Sequence, residues 1–329
     1  MDIEEFLKLE APRAAFGEAQ PSPIKPTEAG VSPVSHFTAK DLFQQLKLDD
    51  VPDSTGDLQN IINTSFPRNT PAMIVGTKGS GKTYLLASIF QYAYNNNQFK
   101  RIFYIYGQNV DTTLSRALPA TVLINVPHDG AEAFLTAYLR KKTKYCSCKR
   151  FVTSDGTYED HVLERLFKQP KHHIDDPVDR LRYCEKVCDK YEQTGLRISL
   201  GQGASAEDID VGTFSQNDYD AFIVDDIGQF PDLFTNNRRS KLYQYFTITR
   251  QNQTTFYLAG QEFMQLSKAF RSQLGAVIVL KGVDPIDVLN KVAITKAKLL
   301  EIYNKWPSLK KHEGVVYNVN DQEYEFIKV

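Results

Sequence analysis

A glycine-rich segment between two apolar runs constrains this chain of 329 residues more than any other feature. The segment consists of Gly76, Thr77, Lys78, Gly79, Ser80, Gly81, Lys82 and Thr83. The continuous apolar run before it, 72–75, is typical of a buried parallel strand, and residues 85–93 have apolar side chains at helical spacing. Glycines in such a loop let several backbone N–H groups point at one spot, at the positive end of the following helix. The segment therefore predicts a P-loop, in which Lys82 reaches the β- and γ-phosphates of ATP and Thr83 binds Mg²⁺.

A second apolar run, 222–224, ends in two acids, Asp225 and Asp226. Ligands of α/β proteins bind at the carboxyl edge of the parallel sheet, so both carboxylates are expected beside the P-loop. We assign Asp225 to the Mg²⁺ shell and Asp226 to the orientation and deprotonation of the attacking water. The alternative interpretation is a strand that runs into an ordinary acidic turn.

The order of apolar runs predicts an α/β fold. Strand, glycine loop, helix and strand form a βαβ unit over 72–106, which implies a mostly parallel sheet with helices on both faces. Further strands are predicted at 222–224, 256–259 and 277–280, a helix at about 286–304, and a hairpin with strands 315–319 and 324–329. We expect a disordered, proline-rich N-terminal arm over 1–36. A P-loop ATPase domain is expected over 37–329, with a polar insertion at about 141–213 and a C-terminal helix and hairpin over 284–329.

Composition excludes several classes of protein. No apolar run approaches the roughly 18 residues that a membrane span needs, and the acids Asp2, Glu4 and Glu5 do not suit a signal peptide. We therefore expect an intracellular protein without a membrane partner. The net charge of −1 does not indicate a monomeric DNA-binding module, although it weighs less against a ring that surrounds DNA.

Two further polar residues flank the predicted strand 256–259. Gln261 follows the strand, where a glutamine can sense the γ-phosphate or hold the attacking water. Arg250 precedes the strand and is either a surface cation or an arginine finger that reaches the ATP of a neighbouring subunit. The alternative fingers are Arg238, Arg239 and Arg271.

The sequence from the P-loop through the Asp-Asp strand, Arg250 and Gln261 to the strand 276–280 resembles the HerA–FtsK superfamily of DNA-pumping ATPases, especially the poxvirus-type genome-packaging ATPases. The similarity covers about 70–107 and 219–282. It implies an additional-strand (RecA/FtsK-like) core, with strand 255–259 between the P-loop strand and the Asp-Asp strand. It also implies a homo-oligomeric ring around double-stranded DNA and a capsid or portal-vertex partner. At the matched positions, Lys82, Asp226, Gln261 and Arg250 would be catalytic. Position 226 departs from the commoner glutamate of the family.

Other functions stay open at this point. The residues Asp225-Asp226-Ile227-Gly228 also match the D-x-x-G of GTPases, and Asn290-Lys291 is similar to the start of their guanine-reading N-K-x-D. Ala293, however, stands where that motif needs an acid. A helicase-loader-like AAA+ ATPase and a nucleotide-binding structural component of a virion are the remaining alternatives.

The cysteines form two close pairs and offer a candidate zinc site. The four thiols belong to Cys146, Cys148, Cys184 and Cys188, and four thiolates can close a tetrahedral Zn²⁺ site. The alternative is inert buried thiols. His161, His172 and His173 are alternative ligands. A cationic run within 140–150 either contacts DNA phosphates or is a solvated helix face.

Overall fold

The computed structural model describes residues 70–107, 112–168, 173–200, 208–234 and 241–329. The arm predicted for 1–36 lies outside these residues. The described strands are β1 (Ala72–Val75), β2 (Arg101–Tyr106), β3 (Leu123–Pro127), β4 (Leu196–Ile198), β5 (Ile209–Gly212), β6 (Asp220–Val224), β7 (Thr254–Gly260), β8 (Ala276–Leu280), β9 (Glu313–Asn318) and β10 (Glu323–Lys328).

The described α-helices connect these strands. They are α1 (Lys82–Asn95), α2 (Thr112–Ala117), α3 (Ala131–Thr153), α4 (His161–Phe167), α5 (Pro177–Asp189), α6 (Pro231–Phe234), α7 (Lys241–Thr247), α8 (Thr249–Asn252), α9 (Lys268–Arg271), α10 (Pro285–Leu289) and α11 (Lys296–Lys305). Short 3₁₀ turns at His128–Gly130, Ile227–Gln229, Phe263–Gln265 and Trp306–Ser308, and a π-helical turn at Lys190–Thr194, complete the helical structure.

Eight strands form one sheet in the order β10-β9-β8-β1-β7-β6-β2-β3. The six strands from β8 to β3 are mutually parallel, whereas β9 and β10 extend the sheet as an antiparallel hairpin. Strand β7 lies between β1 and β6, so the strand order that the sequence resemblance implied is confirmed. The mostly parallel α/β fold is confirmed as well.

Alternate residues of each strand pack on opposite faces of the sheet. In β1, Ala72 and Ile74 pack in one apolar cluster with α1, and Met73 and Val75 pack in a second cluster with α3. The second cluster also contains Ile302 of α11. Helices therefore cover both faces, as the continuous apolar runs in the sequence predicted.

The single helix predicted for 286–304 is wrong, because the structure divides this segment. Helix α10 ends at Leu289 and α11 begins at Lys296. Asp284 caps the first helix, where its side chain accepts from the Ile286 N–H at 2.9 Å, and Pro285 suits the first helical position. Thr295 caps the second helix by accepting from the Lys298 N–H. Thr295 therefore begins a separate helix rather than continuing α10.

A buried ionic cluster lies at the amino-terminal ends of β2 and β6. The Asp220 carboxylate accepts from Arg101 Nε at 2.6 Å, pairs with Lys142 Nζ at 2.7 Å, and also accepts from the Tyr138 hydroxyl. Asp218 binds the other side of the Arg101 guanidinium at 2.9 Å. Burial alone would raise the pKa of Asp220, but the charges of Lys142 and Arg101 outweigh burial and lower it. Helix α3 is thereby fixed to the sheet by charge as well as by apolar packing.

This cluster changes the interpretation of the cationic run in 140–150. Lys142 is completely buried and cannot contact DNA. Lys149 pairs with Glu192 at 2.8 Å, and Arg150 pairs with Asp160 at 2.8 Å. The hypothesis that the whole run contacts phosphates is therefore wrong, since these cations stabilise the contacts of α3 with its neighbours.

Candidate nucleotide-binding site

The P-loop joins the carboxyl end of β1 to the first turn of α1. Gly79 and Gly81 have φ angles of 75° and 100°, a region that side chains other than glycine rarely adopt. Lys82 folds back over the loop, and its Nζ donates to Gly76 O at 2.8 Å and to Thr77 O at 3.1 Å. Burial lowers the pKa of Lys82, and the charges of Asp225 and Asp226 oppose this effect. The lysine thus lies across the space in which phosphates would bind.

Strand β6 brings the predicted metal ligands together. The Thr83 hydroxyl donates to Asp225 Oδ2 at 3.0 Å. A hydroxyl and a carboxylate at this separation fit Mg²⁺, which takes one or two protein oxygens and completes its shell with substrate phosphates and water. The pair stands beside Lys82, so a metal held here would lie next to the bound phosphates.

Asp226 is adjacent to the metal ligand but differs from it in backbone and partners. Its φ and ψ are 55° and 70°, the left-handed region that aspartate and asparagine tolerate better than most residues. Its Oδ2 accepts from Gln229 Nε2 at 3.1 Å. The side chain is partly buried at the carboxyl edge of the sheet, where a base for the attacking water is expected.

Sequence reasoning missed three residues around Asp226. The backbone oxygen of Gln229 lies 2.7 Å from His128 Nε2, and the Gln229 side chain lies against Gly107 at the end of β2. Gln229 is three residues from Asp226, which is a local signal. No sequence pattern connects Asp226 to His128, because the two come from strands that are not neighbours in the chain.

The additional strand ends at the same edge. Gly76 N donates to Gly260 O at 3.1 Å, so β7 is directly bonded to the start of the P-loop. Gln261 follows as an exposed residue. The structure therefore brings the P-loop, the two acids and Gln261 to one edge of the sheet, as the sequence predicted.

The two residues that flank the C-terminal hairpin, His312 and Val329, lie against the P-loop. His312 Nδ1 lies 3.2 Å from Ser80 O. A Cβ added at Gly81 would lie 3.2 Å from both His312 Nδ1 and Val329 Cγ1. The sequence analysis did not predict this contact, since nothing in the pattern of the hairpin points to the P-loop.

Arg250 lies far from this site. Helix α8 directly precedes β7, and β7 runs parallel to β1, so Arg250 is at the sheet edge opposite the P-loop, roughly 20 Å away for a strand of this length. Arg250 is exposed, and its side chain makes no ion pair with the described residues. Arg271 instead donates to Leu266 O at 2.8 Å. Arg238 and Arg239 lie outside the described residues.

The four cysteines do not form a zinc site. Cys146 and Cys148 are two residues apart on α3, about 200° around the helix, and therefore face different neighbours. Cys148 Sγ lies 2.9 Å from Cys184 Sγ, whereas Cys146 Sγ contacts Asn252 O at 3.6 Å. Among the described residues no group of three or more His, Cys, Asp or Glu side chains could hold a metal. The zinc hypothesis is corrected accordingly.

The alternative histidine ligands do not restore that site. His161 pairs with Asp160 at 3.5 Å and His173 with Asp175 at 3.6 Å, and His172 lies outside the described residues.

Within the described ranges, no helix has the length and apolar character needed to cross a membrane.

The strand order, the P-loop and the Thr83–Asp225 pair together define the fold as a P-loop NTPase fold with an additional strand. Neither a known protein family nor a curated protein matches the sequence. The fold is similar to that of B204, the DNA-packaging ATPase from Sulfolobus Turreted Icosahedral Virus, at 14% identity and a TM-score of 0.42, over 79% of this chain and 97% of that chain.

Two further solved structures are similar to this one. For the genome packaging NTPase B204 from Sulfolobus turreted icosahedral virus 2 in complex with ATP-gammaS, the identity is 14% and the TM-score 0.41, over 80% of this chain and 98% of that chain. For Thermomonospora curvata EccC (ATPases 2 and 3), the identity is 14% and the TM-score 0.43, over 80% of this chain and 38% of that chain.

Proposed function

We propose that this chain is an ATP-driven motor that translocates double-stranded DNA, and that its task is the packaging of a viral genome into a capsid. One observation carries the ATPase part of the proposal. The Thr83 hydroxyl and the Asp225 carboxylate are in contact beside Lys82, with Asp226 next in the chain. This is the arrangement that ATP hydrolysis with Mg²⁺ requires.

The residues at the sheet edge divide the work of hydrolysis. The backbone N–H groups of the P-loop bind the phosphates, and Lys82 exchanges its bonds to Gly76 O and Thr77 O for the β- and γ-phosphates. Thr83 and Asp225 would hold Mg²⁺, which would neutralise phosphate charge. Asp226 orients the attacking water and accepts its proton, and Gln261 contacts the γ-phosphate from the end of β7.

The position of Arg250 supports a ring. A cation at the opposite sheet edge is too far from the nucleotide of its own chain, yet it is exposed and able to meet the site of a neighbour. We propose that Arg250 is an arginine finger acting between subunits. DNA passes through the ring, and a capsid or portal-vertex protein anchors it. The sequence resemblance supports these partners and a location in the host cytoplasm or a viral factory.

The GTPase alternative is weaker in the light of the fold. Asn290 and Lys291 follow α10 rather than a strand, and Ala293 lacks the carboxylate that would bind guanine. A structural component of a virion that binds nucleotide would have the same P-loop. It would differ from an ATPase only in that it does not hydrolyse the nucleotide.

The test is a hydrolysis assay with ATP and with GTP, each in the presence and absence of duplex DNA, alongside a measurement of oligomer mass. We expect ATP hydrolysis that duplex DNA stimulates, from a protein that forms oligomers. A preference for GTP supports the GTPase alternative. Nucleotide binding without turnover supports the structural component. ATP hydrolysis at a rate that duplex DNA does not change contradicts the proposed DNA motor but not the proposed ATPase activity.

A further inference from the structure

The candidate base is held by one neighbouring glutamine. Gln229 Nε2 donates to Asp226 Oδ2 at 3.1 Å, and the Gln229 backbone N–H donates to Asp226 O at 2.9 Å. Side chain and main chain of the same residue therefore bind Asp226 at two points. No other described side chain is seen to donate to the Asp226 carboxylate.

The backbone of Asp226 explains why such support matters. With φ at 55°, Asp226 is in a conformation that residues other than glycine adopt at a cost. The turn Ile227–Gln229 begins directly after it and returns Gln229 to its side. The carboxylate direction is thus set by a tight turn whose last residue is the hydrogen-bond donor.

Two other strands hold the glutamine in turn. The Gln229 side chain lies so close to Gly107, at the end of β2, that a Cβ there would be 1.6 Å from its Oε1. The Gln229 carbonyl lies 2.7 Å from His128 Nε2, directly after β3. The His128 ring packs on Phe230 with ring centroids 4.7 Å apart. Gln229, although exposed, is therefore in contact with residues that follow β2 and β3 as well as with the turn that follows β6.

We propose that Gln229 is a positioning residue, which fixes the Asp226 carboxylate toward the attacking water, a role that rests on the proposed ATPase function. A catalytic base works well only when its position is correct to within a fraction of an ångström. A residue that holds the Asp226 side chain in one rotamer therefore raises turnover, although it does not bind the nucleotide itself. Gly107 takes part because a Cβ at that position would displace the glutamine amide from its present place.

Two variants test this role by different routes. Gln229→Met keeps the length of the side chain and removes its donor, whereas Gly107→Ala displaces the intact amide by its added methyl group. Each should lower kcat by about 10- to 100-fold, while the Kd for ATPγS, measured by calorimetry, stays within about twofold of the native value. Gln193→Ala, at an exposed glutamine of the π-helical turn, is the matched control and should behave as the native protein.

A double variant shows whether Gln229 acts through Asp226. In an Asp226→Asn background, Gln229→Met should cause no further loss in single-turnover assays, because the group that it positions is already disabled. A further loss of the same size overturns the proposal, and so does native turnover in both single variants or a parallel rise in the Kd. If the native protein binds ATPγS but does not hydrolyse ATP, the proposed function itself fails, and the positioning role fails with it.

Discussion

The Thr83 hydroxyl donates to the Asp225 carboxylate at 3.0 Å across 142 residues of chain. The two residues follow different strands, β1 and β6, which are separated in the sheet by β7. Their contact makes the P-loop and the acidic strand one site, and the following predictions start from it.

Lys82→Ala should abolish hydrolysis, with a loss on the order of 10²–10³ or more, because the phosphates lose the cation that neutralises them. Asp226→Asn should bind ATP normally and lose about 10²–10⁴ in turnover, since only the base is removed. Asparagine suits the left-handed backbone at this position, so this variant should fold as the native chain does. Steady-state hydrolysis and calorimetric ATP binding measure both effects. Near-native turnover in Asp226→Asn would show that the base is another residue.

Arg250→Ala should retain ATP binding and lose about 10³–10⁵ in the rate of the homo-oligomer, as measured for arginine fingers elsewhere. Mixing Arg250→Ala chains with Asp226→Asn chains should restore part of the activity. Some interfaces then combine an intact Asp226 with the Arg250 of a neighbour.

The control for that experiment is proof that mixed oligomers form, for example by co-purification through a tag on one variant. If oligomers shown to be mixed recover no activity, Arg250 is not the arginine finger, and the candidates for that role are Arg238, Arg239 and Arg271.

Asp220→Asn should lower the free energy of unfolding by about 3–5 kcal/mol, because Lys142 and Arg101 are left buried with less negative charge. Asp179→Asn, which removes only an exposed pair with Arg182, should change it by less than about 1 kcal/mol. Urea denaturation measures both. Equal effects of the two substitutions would show that the buried cluster stabilises the fold no more than an exposed ion pair does.

The same cluster predicts a pH dependence. The pKa of Asp220 is lowered in the folded protein, so its contribution is fully present above the unfolded pKa of about 3.9 and is lost as the pH falls through the lower folded pKa. The stability difference between native protein and Asp220→Asn should therefore be constant from neutral pH to about pH 5 and should narrow below about pH 4. A difference that narrows already near neutral pH would contradict this assignment.

The thiols should be unreactive in the folded protein. Burial raises the pKa of Cys146 to about 11 and that of Cys188 to about 12, so both are protonated near neutral pH. Disulfide reagents should label them slowly in native buffer and rapidly in denaturant, and elemental analysis should find no stoichiometric zinc. One zinc ion per chain, lost on Cys184→Ser, would restore the hypothesis that the structure corrects.

Sequence reasoning was most successful where neighbours in the chain share one function. The P-loop and the Asp-Asp strand are continuous motifs, and the carboxyl-edge rule brings them together without coordinates. Strand β3 was missed because Leu123 and Val126 are buried while Asn125 between them is exposed, which hides the pattern of an edge strand. Lys142 was misinterpreted because it stands among other cations and its partner Asp220 is distant in the chain. The zinc hypothesis failed because Cys146 and Cys148, although close in sequence, lie on one helix and point in directions about 200° apart.

The contact of the C-terminal hairpin with the P-loop has a consequence for how the chain is made. His312 and Val329 lie against Ser80 and Gly81, although about 250 residues separate Gly81 from Val329. At a synthesis rate of roughly 5–20 residues per second, about 10–50 s pass between the synthesis of the P-loop and that of Val329. During most of this interval β1 also lacks its neighbours β7 and β8, and β8 in turn pairs with the hairpin only after it is made. The P-loop is thus synthesised long before the residues that cover it and is among the last parts of the sheet edge to reach its final packing.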